Sequence, residues 1–309
     1  MLLAAGLGTR LRPLTDCVPK PVVPLLDRPL ASYGLEHLAR AGVREVVANT
    51  HHLASVVRDA LGAEHVTPAG PVTLAYSHEP EILGTAGGIA KMLSHVGGET
   101  FVVVNGDVLF APDLERAVAH HRATGALATL VVRRDPQVAR YGAVEVDASG
   151  IVHRIVGRGR AAGAAVEPFM FTGVHVMEPD IARELPERGC IVKDVYAKLL
   201  ERGAPLAAHV EDADWRDLGT IASYLETTLA LASGALAWPS VVPRRDAPWV
   251  APSARIGLDA TLARDVVVGE RAHVQRGRIA HAVVWPDAVV AADVRDAVAF
   301  GEGRIASAS

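Results

Sequence analysis

Apolar runs of strand length alternate with helical spacing over roughly the first 130 residues. The runs rich in β-forming residues are 43–49, 72–76, 101–105 and 126–133. Helical patterns lie between them, at 29–41, 84–93 and 113–124, and a glycine follows two of them as a C-terminal cap. This alternation predicts a largely parallel sheet with helices on both faces.

The pattern becomes richer in strands after this region. Residues 142–146 and 151–155 predict a hairpin, and the turn signal at 147–150 joins its two strands. An insert of this kind predicts the substrate side of an α/β site. Two helical patterns follow, at 191–203 and 220–231.

A proline-rich stretch and then a new period end the chain. Residues 234–249 carry three prolines and predict a linker. Beyond it, aliphatic residues recur every six positions, at Val250, Ile256, Leu262, Val268 and Val274. Hexapeptide periodicity predicts a β-helix, in which each repeat forms a short strand and a corner. An irregular tail rich in alanine and valine is the alternative. The chain therefore divides into 1–235, a linker at 236–249 and a repeat domain at 250–309.

Composition narrows the class of protein. The 309 residues suffice for about two domains, and the formal net charge of −4 shows no basic excess for a nucleic-acid surface. Cys17 and Cys190 are too few for a disulfide framework, which favours a reducing cytoplasm. Neither a signal peptide nor a membrane span is predicted. Only residues 1–5 precede the first glycine, so we expect a short first strand or further residues before Met1.

A glycine-rich turn follows the first apolar residues directly. Gly6 and Gly8 leave backbone N–H groups open to a ligand, and Arg10 and Lys20 supply positive charge nearby. The spacing fits neither the P-loop nor the Rossmann dinucleotide fingerprint. The turn alone is equally compatible with a tight β–α connection. With its cations, it predicts a cradle for a triphosphate.

The whole string from residue 2 to residue 21 resembles the signature of the sugar nucleotidyltransferases, also called NDP-sugar pyrophosphorylases. The resemblance implies a Rossmann-like three-layer α/β/α sandwich with a mostly parallel mixed sheet. The hexapeptide pattern of the tail resembles the short left-handed β-helix that several members carry at the C-terminus, and we expect a homo-oligomer formed through it. The nucleotide-binding residues implied at the signature are Leu3, Ala5, Gly6, Gly8, Thr9, Arg10 and Lys20.

Two distant aspartates carry the metal prediction. Asp107 follows the apolar strand 101–105, where an Asx turn is the simpler interpretation. Asp217 lies in Trp215-Arg216-Asp217-Leu218-Gly219-Thr220, where it has the alternatives of capping the next helix or pairing with Arg216. The resemblance assigns both to one Mg²⁺, a cation that prefers carboxylate oxygens and substrate phosphates. Asp107 is also assigned to the nucleotide.

Further motifs complete the implied site. The loop at residues 83–88 is implied to recognise the base through Gly84, Thr85 and Gly88. The implied sugar-phosphate residues are Gly142, Thr172 and Gly173. The chain lacks the glutamate–lysine–proline string whose lysine binds the sugar phosphate in many members. Arg158 or Arg160 is the candidate substitute, by bidentate phosphate binding, or else an exposed loop charge.

The implied reaction joins a sugar 1-phosphate to a nucleoside triphosphate and releases pyrophosphate. The attack on the α-phosphorus is in line, so positioning and charge neutralisation by Arg10, Lys20 and Asp107 do most of the catalysis. The base loop is similar to that of the members that use GTP with mannose 1-phosphate, and this likeness favours that pair. UTP with N-acetylmuramate 1-phosphate or glucose 1-phosphate is the alternative. A non-catalytic NDP-sugar-binding regulator or scaffold is the rival from another class, and an acyltransferase tail ranks last.

Overall fold

The computed structural model describes residues 1–161, 163 and 165–308. The strands in chain order are β1 Leu2–Leu3, β2 Pro24–Leu25, β3 Arg28–Pro29, β4 Glu45–Thr50, β5 Glu64–Thr67, β6 Gly70–His78, β7 Phe101–Asn105, β8 Val108–Phe110, β9 Ala128–Arg133, β10 Ala143–Asp147, β11 Val152–Ile155, β12 Arg158–Gly159, β13 Val166–Met177, β14 Leu206–Val210, β15 Trp215–Asp217, β16 Trp249–Val250, β17 Arg255–Leu262, β18 Val266–Val268, β19 His273–Val284, β20 Val289–Val290, β21 Val294–Phe300 and β22 Arg304–Ser307.

The helices surround this framework. The α-helices are α1 Leu30–Arg40, α2 Ala54–Leu61, α3 Gly84–Met92, α4 Leu114–Thr124, α5 Val138–Tyr141, α6 Ala197–Glu201 and α7 Ile221–Ser233. Short 3₁₀ turns are Thr9–Leu11, Leu14–Asp16, Lys20–Val22, Leu93–His95 and Pro179–Glu184, and Ile191–Tyr196 is π-helical. Within the described ranges, no helix combines the length and the apolar character that crossing a bilayer requires.

The large sheet is mixed, with a parallel centre. Its order is β12-β11-β10-β13-β7-β1-β4-β6-β5, and β9 pairs with both β13 and β14. The strands β7, β1, β4 and β6 run parallel, whereas β13 is antiparallel to β7, β9 and β10. The predicted α/β class and mixed sheet are confirmed. The carboxyl ends of β1, β4 and β7 therefore meet at one edge, where α/β proteins bind ligands.

Local signals account for both ends of α4 and for the start of α7. Asp113 caps α4 by accepting the N–H of Arg116 at 3.0 Å, and Gly125 ends it in the left-handed conformation. Thr220 caps α7 through the N–H of Ser223. The helix predicted at 191–203 is instead a π-helical turn followed by the short α6.

Beyond residue 248 the chain makes parallel pairs with itself. Trp249 pairs with Val267, and Arg255 pairs with His273, in each case 18 residues further along. The strand β19 goes on to pair in parallel with β21, and β22 closes the array as an antiparallel partner of β21. Val268 and Val274, from the six-residue period, are fully buried, whereas Val250 and Leu262 are half-buried and Ile256 is exposed. The period thus places aliphatic side chains inside the array only in its later part. Ser309, the last residue of the predicted tail, lies outside the described residues.

The tail and the preceding body share one apolar core. The buried cluster that contains Leu25 and Tyr224 also contains Val284 and Trp285. Trp285 donates its indole N–H to the hydroxyl of Tyr224 at 2.8 Å, and the two rings meet edge to face. The Tyr224 hydroxyl in turn donates to the carbonyl of Pro24. Helix α7 is therefore sandwiched between the first loop of the chain and the tail.

A fully buried carboxylate fixes the predicted linker to α1. Glu36 accepts hydrogen bonds from Arg28 at 2.9 Å, Arg40 at 2.8 Å, Ser240 at 2.6 Å and Trp238 at 3.3 Å. Although burial opposes ionisation, the bonds from Ser240 and Arg40 hold the pKa of Glu36 below its ordinary value.

We expect Glu36→Gln to lower the free energy of unfolding by about 3 kcal/mol, because the change leaves two guanidinium groups without their buried partner. Urea unfolding monitored by circular dichroism measures the loss. The matched control is Glu45→Gln, at an exposed position of β4, which should leave stability unchanged. Equal stability of the two variants would show that the buried network contributes nothing.

Candidate active site

The glycine-rich turn folds back onto Lys20. Gly8 adopts a left-handed conformation with φ of 61°, and a Cβ there would lie 3.0 Å from Thr15 Cγ2 and 3.1 Å from Lys20 Cβ. Thr15 donates its hydroxyl to the Gly8 carbonyl at 2.9 Å. Glycine is therefore required at this position for the loop to approach the lysine.

Lys20 is the centre of the site. The residue is only 4% exposed, and its ammonium lies 2.9 Å from Asp107 Oδ2 and 3.1 Å from Asp217 Oδ1. Arg10, which is largely exposed, reaches Asp217 Oδ2 at 3.5 Å. The pairing of Asp217 with Val108, between β15 and β8, brings the two aspartates together. Four residues predicted from distant motifs thus meet at the carboxyl edge of the sheet.

The carboxylate pair fits a magnesium ion shared with substrate. In the described ranges, no group of three or more His, Cys, Asp or Glu side chains could hold a metal. The described residues thus offer two carboxylates, both in contact with the Lys20 ammonium, rather than a complete set of metal ligands. That donor set suits Mg²⁺, which is bound by one or two carboxylates while substrate phosphates and water complete its shell.

Two adjoining cavities open on this cluster. Both are lined by Leu3, Thr85, Asn105 and Asp107. The first, which we call the nucleotide cavity after the binding residues predicted from the sequence, is further lined by Ala4, Ala5, Gly6, Gly8, Lys20, Pro21, Asn49, Glu79, Ile82 and Gly84. The second, the sugar cavity, adds the predicted residues Arg10, Gly142, Thr172, Gly173 and Asp217. Thr9 and Gly88 line neither cavity.

A chain of hydrogen bonds forms the floor of the nucleotide cavity. Asn49 accepts the N–H of Ala4 at 2.7 Å and donates to Glu79 at 2.7 Å, and Glu79 accepts the N–H of Leu83 at 3.0 Å. Both side chains are almost fully buried. Sequence reasoning missed Asn49 and left Glu79 unassigned. The available signal was a polar residue at the end of the apolar strand β4, beside the signature strand.

The glycines of the base loop serve contacts within the protein. A Cβ on Gly88 would lie 2.7 Å from Asn49 Nδ2, and one on Gly87 would lie 2.3 Å from the carbonyl oxygen of Glu187. Gly84 lines the nucleotide cavity in a left-handed conformation with φ of 74°. The structure therefore places Gly88 behind the cavity wall rather than against a base.

The predicted sugar-phosphate arginine lies elsewhere. Arg158 pairs with Glu201 at 2.9 Å and donates to the carbonyl of Lys193 at 2.8 Å, and it does not line the sugar cavity. Because its guanidinium is paired with Glu201 at the surface beside α6, Arg158 lies outside the candidate site. Arg140, which sequence reasoning did not single out, lines the cavity together with Arg10.

The sugar cavity also contains a buried histidine. His175 hydrogen-bonds the hydroxyl of Tyr196 at 2.5 Å and packs edge to face against Phe171. Burial lowers the pKa of His175 to about 3. The imidazole is therefore neutral at neutral pH.

The neutral histidine predicts a pH dependence of stability. Because the unfolded chain binds a proton below about pH 6.5 and the folded chain does not, the unfolding free energy should fall as pH drops from about 7 towards 3. His175→Gln should make this slope shallower by up to about 1.4 kcal/mol per pH unit. Urea titrations at stepwise pH measure it. The control His95→Gln, at an exposed position, should keep the wild-type slope.

The sequence pattern of the nucleotidyl transferase family matches residues 1–234. The chain belongs to this family. The UTP–glucose-1-phosphate uridylyltransferase of Synechocystis sp. is 33% identical over 251 residues, which cover 75% of this chain and 63% of that protein. The mannose-1-phosphate guanylyltransferase of Mycobacterium tuberculosis is 29% identical, with 92% and 79% covered. The catalytic subunit beta of this enzyme from Danio rerio is 30% identical, with 73% and 62% covered.

Solved structures with this fold are also similar. HddC from Yersinia pseudotuberculosis matches with a TM-score of 0.61 and 23% identity, over 74% of this chain and 96% of that one. The UDP-glucose pyrophosphorylase from Acinetobacter baumannii matches with a TM-score of 0.64 and 23% identity, over 78% and 94%. The likeness concerns the fold. Among the curated relatives, the chain spans just under two thirds of the Synechocystis and Danio rerio proteins.

Proposed function

We propose that this chain transfers a nucleotidyl group from a nucleoside triphosphate to a sugar 1-phosphate, giving an NDP-sugar and pyrophosphate. The observation that carries the proposal is the convergence of Asp107 and Asp217 on Lys20, where the nucleotide cavity joins the sugar cavity. Family membership and the activities for which the relatives are named support it.

The chain's own groups divide the work between the two cavities. Lys20 and Arg10 neutralise the triphosphate and the departing pyrophosphate, because their charges are fixed before substrate arrives. The backbone around Gly6 and Gly8 holds phosphate oxygens, and Gly142 and Gly173 line the sugar. Asp107 and Asp217 would hold magnesium, which when bound supplies positive charge to the phosphate oxygens. The attack then needs no covalent link to the enzyme.

Arg140 is the guanidinium we place against the sugar phosphate, in the role that the sequence suggested for Arg158. Arg140 lines the sugar cavity, and no carboxylate of the described residues pairs with its guanidinium, which donates to Gln137 at 3.4 Å and lies 5.6 Å from the centre of the Tyr141 ring. An arginine without a carboxylate partner can bind a phosphate through two hydrogen bonds, because no ion pair has to be broken first.

Two observations bear on which base and which sugar the chain uses, and they favour different substrate pairs. The loop at residues 83–88 favours GTP with mannose 1-phosphate, and the Mycobacterium tuberculosis relative has this activity by name. Similarity to the Synechocystis protein, which is named as a UTP–glucose-1-phosphate uridylyltransferase, favours UTP with glucose 1-phosphate. We propose the guanylyl reaction first and the uridylyl reaction as its alternative.

A pyrophosphate-release assay over substrate pairs tests the function. The pairs are GTP with mannose 1-phosphate, and UTP with glucose 1-phosphate or N-acetylmuramate 1-phosphate, each with MgCl₂. Release that requires both substrates supports the transferase. Nucleotide or NDP-sugar binding without release from any pair would favour a non-catalytic regulator instead.

We also propose the arrangement of the remaining chain. Residues 1–235 form the catalytic domain, 236–249 a linker and 250–309 a left-handed β-helix through which copies assemble. The parallel pairing at a spacing of 18 residues, three repeats of six, supports the β-helix. The two free cysteines support work in the cytoplasm. Light scattering of the full chain measures the assembly.

A further inference from the structure

Residues 187–192 form a segment, which we call the strap, that runs along the base loop. Gly189 donates its N–H to the carbonyl of Leu83 at 2.9 Å, and Ala86 donates its N–H to the carbonyl of Gly189 at 2.9 Å. The strap and the base loop are thus paired through their backbones, although they are about a hundred residues apart in the chain.

Glycines of the base loop make room for this pairing. A Cβ on Gly84 would lie 2.4 Å from the carbonyl oxygen of Gly189, and one on Gly87 would lie 2.3 Å from that of Glu187. Neither contact leaves space for a side chain, because the opposing atoms are backbone. The base loop is therefore shaped to receive the strap.

Thr85 joins the strap to both cavities. Its hydroxyl oxygen accepts the N–H of Ile191 at 2.8 Å, and the residue lines the nucleotide cavity and the sugar cavity alike. On the other side of this bond, Cys190, Ile191 and Val192 line the sugar cavity only. This hydroxyl thus adds a side-chain hydrogen bond to the two backbone bonds that join the strap to the base loop, and it is the bond nearest to the sugar-cavity residues of the strap.

The strap continues into the π-helical turn Ile191–Tyr196. Asp194 accepts the N–H of Cys190 at 2.7 Å and so fixes the entry to this turn. At its far end, the hydroxyl of Tyr196 holds His175, which also lines the sugar cavity. A shift of the strap would therefore move two parts of the sugar cavity together. Turns of this π-helical type occur often at functional sites.

We propose that Thr85 is a positioning residue that couples the two cavities. The proposal rests on the proposed function and names the regulation of the same site. A nucleotide in its cavity restrains Gly84 and Thr85. The bond from Ile191 passes this restraint to the strap and sets the wall that receives the sugar phosphate. Coupling of this kind is reciprocal, so a sugar phosphate equally tightens the nucleotide.

Three variants test the coupling by kinetics, with the productive substrate pair from the pyrophosphate screen. Thr85→Val keeps the side-chain shape and leaves the Ile191 N–H without an acceptor, and should raise the KM for the sugar 1-phosphate about tenfold. Because the coupling is reciprocal, the KM for the nucleotide at saturating sugar 1-phosphate should rise by a similar factor, and the rise in both KM values should exceed any fall in kcat. Thr85→Ser restores the acceptor and should restore the KM.

Thr67→Val is the matched control. Thr67 also accepts a backbone N–H, that of Ala69 at 3.1 Å, in a turn that belongs to neither cavity. The control should keep the wild-type KM for both substrates. An unchanged sugar 1-phosphate KM in Thr85→Val, an equal rise in Thr67→Val, or no rescue by Thr85→Ser overturns the proposal.

Amide hydrogen exchange separates this proposal from the proposed function. Mg²⁺ with GTP, and in a second series with UTP, is added without a sugar phosphate. In the wild type, we expect protection of residues 83–88 and of the strap, and in Thr85→Val protection of 83–88 alone. Protection of 83–88 without the strap in the wild type overturns the coupling. Protection of neither segment by either nucleotide overturns the proposed function.

Discussion

Asp107→Asn should lower pyrophosphate release about 10³-fold for the substrate pair that the wild type accepts. The amide has the size of the carboxylate but no charge. It cannot balance the Lys20 ammonium 2.9 Å away, and it is a poor ligand for magnesium. Steady-state kinetics with MgCl₂ measure the loss, and circular dichroism verifies the fold.

Asp16→Asn is the control for this variant. Asp16 lies in the signature loop between Arg10 and Lys20 and pairs with the exposed Arg12 at 3.1 Å, outside both cavities. Loss of the Asp16 charge should leave kcat unchanged, because an exposed ion pair contributes little to stability and this one lies outside both cavities. If Asp107→Asn keeps more than about a tenth of wild-type kcat, charge at this position is not part of transition-state stabilisation.

Lys20→Met should lower kcat by about 10²- to 10³-fold. Methionine retains the apolar stem of the lysine. The change removes a nearly buried positive charge that lies within 3.1 Å of two carboxylates. Two negative groups would then face the incoming triphosphate, so we expect nucleotide binding to weaken as well. Pyrophosphate release and calorimetric titration with GTP and UTP measure the two effects.

The control for the lysine is Lys91→Met. Lys91 is exposed and donates to the backbone carbonyl of His78, on the outer side of α3. This variant should turn over and bind nucleotide as the wild type does. If Lys20→Met keeps the wild-type kcat, the Lys20 ammonium has no catalytic role, although it contacts both carboxylates.

Local sequence predicted the framework of the site well. The strand Phe101–Asn105 occurs with the predicted bounds, and α4 ends at the predicted Thr124 before Gly125 and begins at Leu114, one residue after the predicted start. Both features depend on neighbours in the chain: an apolar run, an aspartate cap and a terminal glycine. The meeting of Asp107 with Asp217 was implied only by resemblance. It depends on the three-residue pairing of β8 with β15, which is too short to leave a pattern.

Features set by distant contacts escaped the sequence. Helix α2 has no capping side chain, and the residue before it, Leu53, is left-handed with φ of 48°. The strand β14 is held by parallel pairing with β9, across about 75 residues of chain. Arg158 was chosen for its charge, and its partner Glu201 is 43 residues away. The sequence shows which charged side chains the chain contains, whereas the tertiary structure decides which of them already have a partner of opposite charge.

The joint between Tyr224 and Trp285 bears on how such proteins can be recombined. A chimera that exchanges only the segment after residue 248 would set a foreign surface against α7. The indole that covers the tyrosine ring would then be lost. An exchange that begins at Ile221 carries the helix and its cover together. The natural crossover point for building hybrids is therefore the start of α7, upstream of the proline-rich stretch that looks like a hinge.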